Sequence, residues 1–146
     1  MDTMSKKVFV ALFAATFAAQ LGMGIIAPLM HLFSERTGAS GLWLGIMFSG
    51  YAMSQLIFMP VVGRLSDVGG RKKFIALGLV AYTVISLFYT LTPNIYALTF
   101  IRLIHGLASC MVAPIAQAYI GDLIPEGKEG TYINLFAMSV FLGMGF

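Results

Sequence analysis

Apolar residues in this chain come in long unbroken runs separated by short polar stretches. Four runs occupy Val8–Leu32, Gly41–Val62, Phe74–Leu91 and Ile95–Ile120, and a fifth goes from Tyr132 to Phe146. Crossing a hydrocarbon core of about 30 Å takes about 20 helical residues. The first four runs are therefore predicted to be membrane-spanning helices, and the shorter fifth reads as a span that is cut. Membrane β-strands would alternate apolar and polar positions, and these runs do not. The expected fold class is all-α: a polytopic transmembrane helical bundle of four helices plus part of a fifth.

The start of the chain resembles a secretory signal, with Lys6 and Lys7 ahead of an apolar stretch. A signal core is only about 7–15 residues long. Here the apolar character continues to about Phe33, so an uncleaved first span is expected. The polar breaks set the topology. Lys6, Lys7, Arg64, Arg71, Lys72, Lys73 and Lys128 fall on one side, while the other holds Arg36 beside Glu35 and the uncharged turn Thr92-Pro93-Asn94. Basic residues mark the cytoplasmic side. This predicts an inner-membrane, multi-pass protein with its N-terminus in the cytoplasm.

Composition narrows the field. The chain is 59% hydrophobic and 10% charged, against roughly 45–50% and about 25% in soluble domains, so its solvent is lipid. The net charge of +3 does not point to nucleic acid, because the cations sit in clusters between apolar runs. Cys110, alone in an apolar run, makes neither a disulfide nor a zinc site and reads as a buried thiol. No phosphate-binding glycine–lysine loop, nucleophile–base pair or metal-ligand cluster is visible. No cofactor, metal or enzymatic activity is expected. Gly22, Gly24, Gly41, Gly45, Gly143 and Gly145 suit close helix packing, and the 10 methionines suit either packing or an adaptable wall. A weak repeat relates Gly24-Ile25-Ile26-Ala27-Pro28-Leu29 to Cys110-Met111-Val112-Ala113-Pro114-Ile115, as inverted three-helix units would.

Two places carry candidate chemistry. The first is the loop from Gly63 to Lys73. Asp67 lies near the C-terminal end of the second run, where the helix dipole is already negative, so it needs a cation or another helix's N-terminus. Gly63 has no Cβ to keep a neighbouring helix away, and Gly69-Gly70 permit a tight turn. Arg71, Lys72 and Lys73 anchor the third run at an anionic leaflet. A plain anchor explains these cations but not the glycine–aspartate–glycine spacing. The second place is Arg102 in the fourth run. An arginine within a span costs about 2.5–3.5 kcal/mol on insertion scales and normally faces protein or water, although snorkelling to the outer interface is within its reach. His105, Gly106 and Ser109 follow on the same face, and His105 reads equally as a proton-exchanging group or as a neutral, hydrogen-bonded imidazole. Gln20, Tyr51, Gln55 and Gln117 are further polar candidates within the runs. Thr16 and Gln20 share a face of the first helix, and His31 reads as structural.

The loop resembles the signature between the second and third helices of the major facilitator superfamily. The matching positions are Gly63, Asp67, Gly70, Arg71 and Lys72; Val68 stands where that family usually has a basic residue. Arg102-Leu103-Ile104-His105-Gly106 is similar to the family's Arg-x-x-Gln-Gly stretch, with His105 in place of glutamine. Gly22-Met23-Gly24-Ile25-Ile26-Ala27-Pro28 and Gly121-Asp122…Pro125-Glu126 look like the drug:proton antiporter members. Gly143-Met144-Gly145-Phe146 resembles the start of the antiporter motif, without its Gly-Pro. The resemblance covers nearly the whole chain, and family members have twelve or more helices. It implies an N-terminal portion whose C-terminal half is missing.

The resemblance further implies secondary active transport of small molecules by alternating access, such as multidrug or metabolite efflux by proton antiport. Asp67 would face a helix of the second half, and Arg71 would pair with Asp122 as a gate latch. Arg102 with His105 would form the cavity pair. The predicted spans contain no Asp or Glu, so proton coupling would use His105 with Arg102 or a carboxylate of the missing half. Two other classes stay open: a membrane scaffold or assembly subunit that does not transport, and a small dimeric multidrug exporter. The latter usually needs an early membrane-embedded acidic residue, which this chain lacks.

Overall fold

The structure, a computed structural model, describes residues 3–37, 40–92, 94–124 and 127–145, without the side chains of 3–5 and 34–37. Pro93, Pro125, Glu126, Phe146 and the side chains of Glu35 and Arg36 thus lie outside the described residues.

Six helices follow one another: α1 (Thr3–Thr37), α2 (Gly41–Gly69), α3 (Arg71–Leu91), α4 (Ile95–Cys110), α5 (Ala113–Leu123) and α6 (Glu129–Met144). Four stretches are long and apolar enough to cross a membrane, the fourth being α4 and α5 taken together over Ile95–Leu123. Successive spans run antiparallel, so the N-terminus, the α2–α3 turn and the α5–α6 connection share one end of the bundle. The fourth span is the centre of the packing. Half of its apolar window is buried, against 17% in each of the other three. The outward faces of those three are apolar, with Leu56, Leu77 and Leu87 exposed, as a lipid-facing surface requires.

The fourth run is predicted as one span, and the structure divides it at Met111-Val112. Pro114, in the first turn of α5, has no N–H to give Cys110, four residues back. The chain instead makes tighter turns, from Met111 N–H to the Ala108 carbonyl at 3.0 Å and from Val112 N–H to the Ser109 carbonyl at 3.3 Å. Gly78 of α3 faces this break: a Cβ there would sit 2.7 Å from Val112 and 2.8 Å from Met111. Pro28, with the same alanine before it, lies inside an uninterrupted α1.

Two glycine contacts join the remaining helices. α1 packs closely on α6, where a Cβ on Gly143 would lie 2.7 Å from the Phe17 carbonyl, and one on Gly24 would lie 3.1 Å from the Gly143 carbonyl. Gly22, Gly41 and Gly45, expected at such contacts, face open space. Edge-on aromatic pairs stand near both ends of the bundle, Trp43 with Tyr96 and Phe9 with Tyr132. Amphipathic rings favour membrane–water boundaries. Buried apolar residues form one cluster around Leu12, Ile75, Ile115 and Phe136, another around Ile26, Met47 and Leu98, and a small third of Ile85, Ile101 and Ala108. Along α4, the polar residues Arg102 and His105 come between Leu98 of the second cluster and Cys110 of the first, beside Ile101 and Ala108 of the third.

Candidate functional site

At the N-terminal end of the bundle, Gly70 reverses the chain between α2 and α3 with φ of +93°. Side chains other than glycine rarely adopt that conformation. The reversal brings the first residue of α3 back to the last turn of α2. Arg71 Nη2 donates to Asp67 Oδ1 at 3.0 Å. Its Nη1 lies 2.8 Å from Asp122 Oδ2 at the end of α5, close enough for an ion pair but not aligned as a hydrogen bond. One guanidinium thus ties together the ends of three helices. It also places positive charge against a carboxylate that the α2 dipole disfavours.

The Arg71 side chain is one-fifth exposed, whereas both carboxylates are 58% exposed. An open cleft of about 400 Å³ borders the triad, with Lys72, Lys73 and Tyr119 in its walls. Gly63 meets nothing within 4 Å of where a Cβ would be, and Val68 is almost fully exposed. Two signature positions therefore present free surface rather than contacts within this bundle.

The second site lies inside. Arg102 is fully buried and His105 nearly so. α4 presents both to α2 and α3, and the sequence dictates why the helices come so close. A Cβ on Gly106 would lie 2.5 Å from the Tyr51 carbonyl and 2.7 Å from Ser54 Cβ. Only glycine lets α2 and α4 meet at that distance. Ser54 Oγ then donates to the Leu103 carbonyl at 2.7 Å, and Gln55 Nε2 to Ser109 Oγ at 2.6 Å.

Aromatic rings enclose the charge. The Arg102 guanidinium carbon is 5.0 Å from the Phe48 ring centroid and 5.9 Å from those of Tyr51 and Tyr89, within reach of cation–π attraction. Arg102 Nη1 contacts the Met23 sulfur of α1 at 3.5 Å. Its Nε and Nη2 are buried without partners, and among the described residues no carboxylate pairs with it. His105 is ringed edge-on by Tyr51, Tyr82 and Tyr89. Its Nδ1 is 3.2 Å from the Tyr89 hydroxyl, while Nε2 has no partner.

Of the candidates read from the sequence, the structure gathers Arg102, His105, Gly106, Tyr51 and Gln55. Gln20 belongs instead to the α1–α6 seam, its Cβ 2.8 Å from where Gly143 would carry one. Gln117 is exposed on α5. Met23, Phe48, Tyr82 and Tyr89 join the cluster unannounced. For the two tyrosines there was a signal: they stand seven apart on α3, hence on one helix face. Among the described residues no group of three metal-ligating side chains occurs.

Comparison with known proteins agrees with this architecture. A family model, Major Facilitator Superfamily, matches residues 12–146. An uncharacterized MFS-type transporter of Methanocaldococcus jannaschii is 34% identical over 99% of this chain and 37% of its own length. Multidrug resistance protein 2 of Bacillus subtilis is 35% identical over 94% of the chain and 34% of its own length. The quinolone resistance protein NorA of Staphylococcus aureus is 31% identical over 98% and 36%. The chain therefore spans about a third of the length of these relatives. With apolar spanning helices and a family match over nearly its whole length, the chain belongs to the major facilitator superfamily, a family of multi-pass membrane transporters and not of enzymes.

Proposed function

We propose that this chain is part of the first bundle of a secondary transporter that exports small amphipathic molecules by alternating access, in exchange for protons. In this reading a second bundle completes the central cavity. The N-terminus and the α2–α3 turn face the cytoplasm across the inner membrane. The observation that carries the proposal is the Arg71 triad. A guanidinium shared by two exposed carboxylates ties three helix ends together through contacts that water can replace. Each contact of this kind contributes only about 0–1 kcal/mol. That is enough to bias a two-state gate whose gap is a few kcal/mol, and little enough to let it open. Relatives named for multidrug and quinolone resistance favour drug-like organic molecules as substrates.

The test is dye efflux by the whole transporter, reconstituted in vesicles with an imposed proton gradient. Efflux that collapses with a protonophore is expected. Efflux indifferent to the gradient would rule out antiport. Saturable, selective flux from this chain alone would overturn the two-bundle cavity and favour a homodimer. Cysteine labelling in a Cys110→Ser background checks the orientation: position 72 should react only from the inside of intact cells, and position 94 only from the outside.

A further inference from the structure

We propose that Gly78 is a positioning residue for the latch: by seating the break between α4 and α5 it sets where α5 ends, and so brings Asp122 to Arg71. The inference deepens the gate reading above and rests on it only for its consequence in transport.

A proline leaves open how the chain resumes. Pro28 and Pro60 both lie inside uninterrupted helices, so a proline by itself does not dictate a break. At Val112 the backbone is off-helical, with φ of −106° and ψ of −82°. Just before it, Ser109 Oγ donates to the Gly106 carbonyl at 2.7 Å, a bond of the kind that bends helices. Neither feature fixes the direction in which α5 leaves. Gly78, buried on α3, touches the break from outside. A Cβ there would come within 2.7 Å of Val112 Cγ2, 2.8 Å of Met111 Cβ and 3.3 Å of the Met111 carbonyl carbon. The break thus fills the space where any other residue would carry its side chain.

One face of α3 meets α5 at three levels, because Arg71, Ile75 and Gly78 stand at i, i+4 and i+7. Gly78 seats the start of α5, Ile75 is buried in one cluster with Ile115 and Ile120, and Arg71 reaches Asp122 at 2.8 Å. The spacing agrees along both helices. From Gly78 back to Arg71 is about 10 Å at 1.5 Å per residue, and from Val112 on to Asp122 is about 15 Å. The shortfall of about 5 Å is spanned by the Arg71 side chain, which slants toward the helix N-terminus and hence toward Asp122. Since α5 is one continuous helix between these points, a displacement at its start carries to its end.

The test removes the latch and asks whether the seat alone keeps its two ends together. Arg71→Cys and Asp122→Cys are combined in the whole transporter as its only cysteines, with Cys110→Ser, and a short bifunctional methanethiosulfonate joins them in membranes. Mass spectrometry of the joined peptides gives the rate. Gly78→Ala should slow the reaction at least about threefold, because effective concentration drops steeply once a short linker no longer spans its sites. Val112→Ala, which empties the seat instead of crowding it, should slow it less. Gly78→Ala combined with Val112→Ala should recover part of the loss. Gly106→Ala crowds α4 even more closely, 2.5 Å from the Tyr51 carbonyl, but on the far side of the break, and should leave the rate unchanged. That comparison separates positioning from general loss of packing. Should either glycine variant not fold, Val112→Ala decides. An unchanged rate in folded Gly78→Ala or Val112→Ala, a double variant no faster than Gly78→Ala, or equal slowing by Gly106→Ala would each overturn the proposal. Transport is read separately, with the latch residues intact, and Gly78→Ala should impair it. Slower crosslinking with unimpaired export would leave the positioning standing and sink the gate; impaired export with unchanged crosslinking would sink the positioning alone.

Discussion

Arg71 and Arg102 carry the same charge in opposite circumstances. Arg71 is partly exposed, has two carboxylates within 3.0 Å, and stands where helices end. Arg102 is fully buried, has no carboxylate partner among the described residues, and stands inside a packed span. Water screens the first, so its contacts form and break at small cost. The second bears a desolvation penalty that ring faces only partly offset. A charge that is easily paired suits a switch; a charge held inside a packed span is a fixed part of the interior. The difference also separates two kinds of vulnerability. Around Arg71 structure should tolerate change while function does not, and around Arg102 the packing itself should be sensitive.

Glycine substitutions probe that difference most strongly. Gly106→Ala would place a methyl 2.5 Å from the Tyr51 carbonyl, and backbone cannot yield as a side-chain tip can. Overpacking of this kind costs about 1–3 kcal/mol. Gly63→Ala meets open space and removes glycine's entropy cost within a helix, a gain of roughly 0.5–1 kcal/mol. Thermal unfolding of both variants in one detergent should therefore move in opposite directions. Equal destabilisation would mean that the loop end is packed as tightly as the interior, and the contrast would fall.

The next effect is functional. Asp67→Asn keeps the size and most of the hydrogen bonding while removing the charge. In the whole transporter it should lower transport up to about fivefold, equivalent to at most about 1 kcal/mol of gate bias. The melting temperature of the chain should stay unchanged. Transport assays on membranes with matched protein levels would check this, and normal activity would reduce the loop to a topological anchor. Val68→Arg, at an almost fully exposed position, should be tolerated by both measures.

The two regions were not equally legible in the sequence. The spanning runs and the fold class follow from length and apolar content, because lipid demands both. The loop was readable because its constraints are local: a turn that needs positive φ at Gly70, and an aspartate four residues before an arginine. The interior was less so. Arg102 announced itself by charge, but Met23, Phe48 and Tyr89 around it and Tyr82 beside His105 come from three other helices and look like ordinary apolar filling. Their role depends on how α1, α2 and α3 settle around α4, which no local pattern encodes. The two Ala-Pro steps make the same point. Pro28 sits in a continuous helix while Pro114 follows a break, and that break is packed against Gly78 of another helix, whose missing side chain leaves room for Met111 and Val112.

The smallest effect is the most specific to the latch. Arg71→Ala and Asp122→Ala each remove the 2.8 Å contact between the α3 start and the α5 end. If that contact is the shared cause, the double variant should transport no worse than the poorer single one, and the cycle should return a coupling below about 1 kcal/mol. The coupling should shrink further at high salt, since both carboxylates are more than half exposed. A complication is built into the geometry: Arg71 also serves Asp67 at 3.0 Å, so Arg71→Ala should be the more damaging single change. Repeating the cycle in an Asp67→Asn background isolates the Asp122 arm. Effects that simply add in both backgrounds would show that Arg71 and Asp122 act separately. The proximity of α3 and α5 would then be packing alone, and the functional contrast between the two arginines would rest on Asp67.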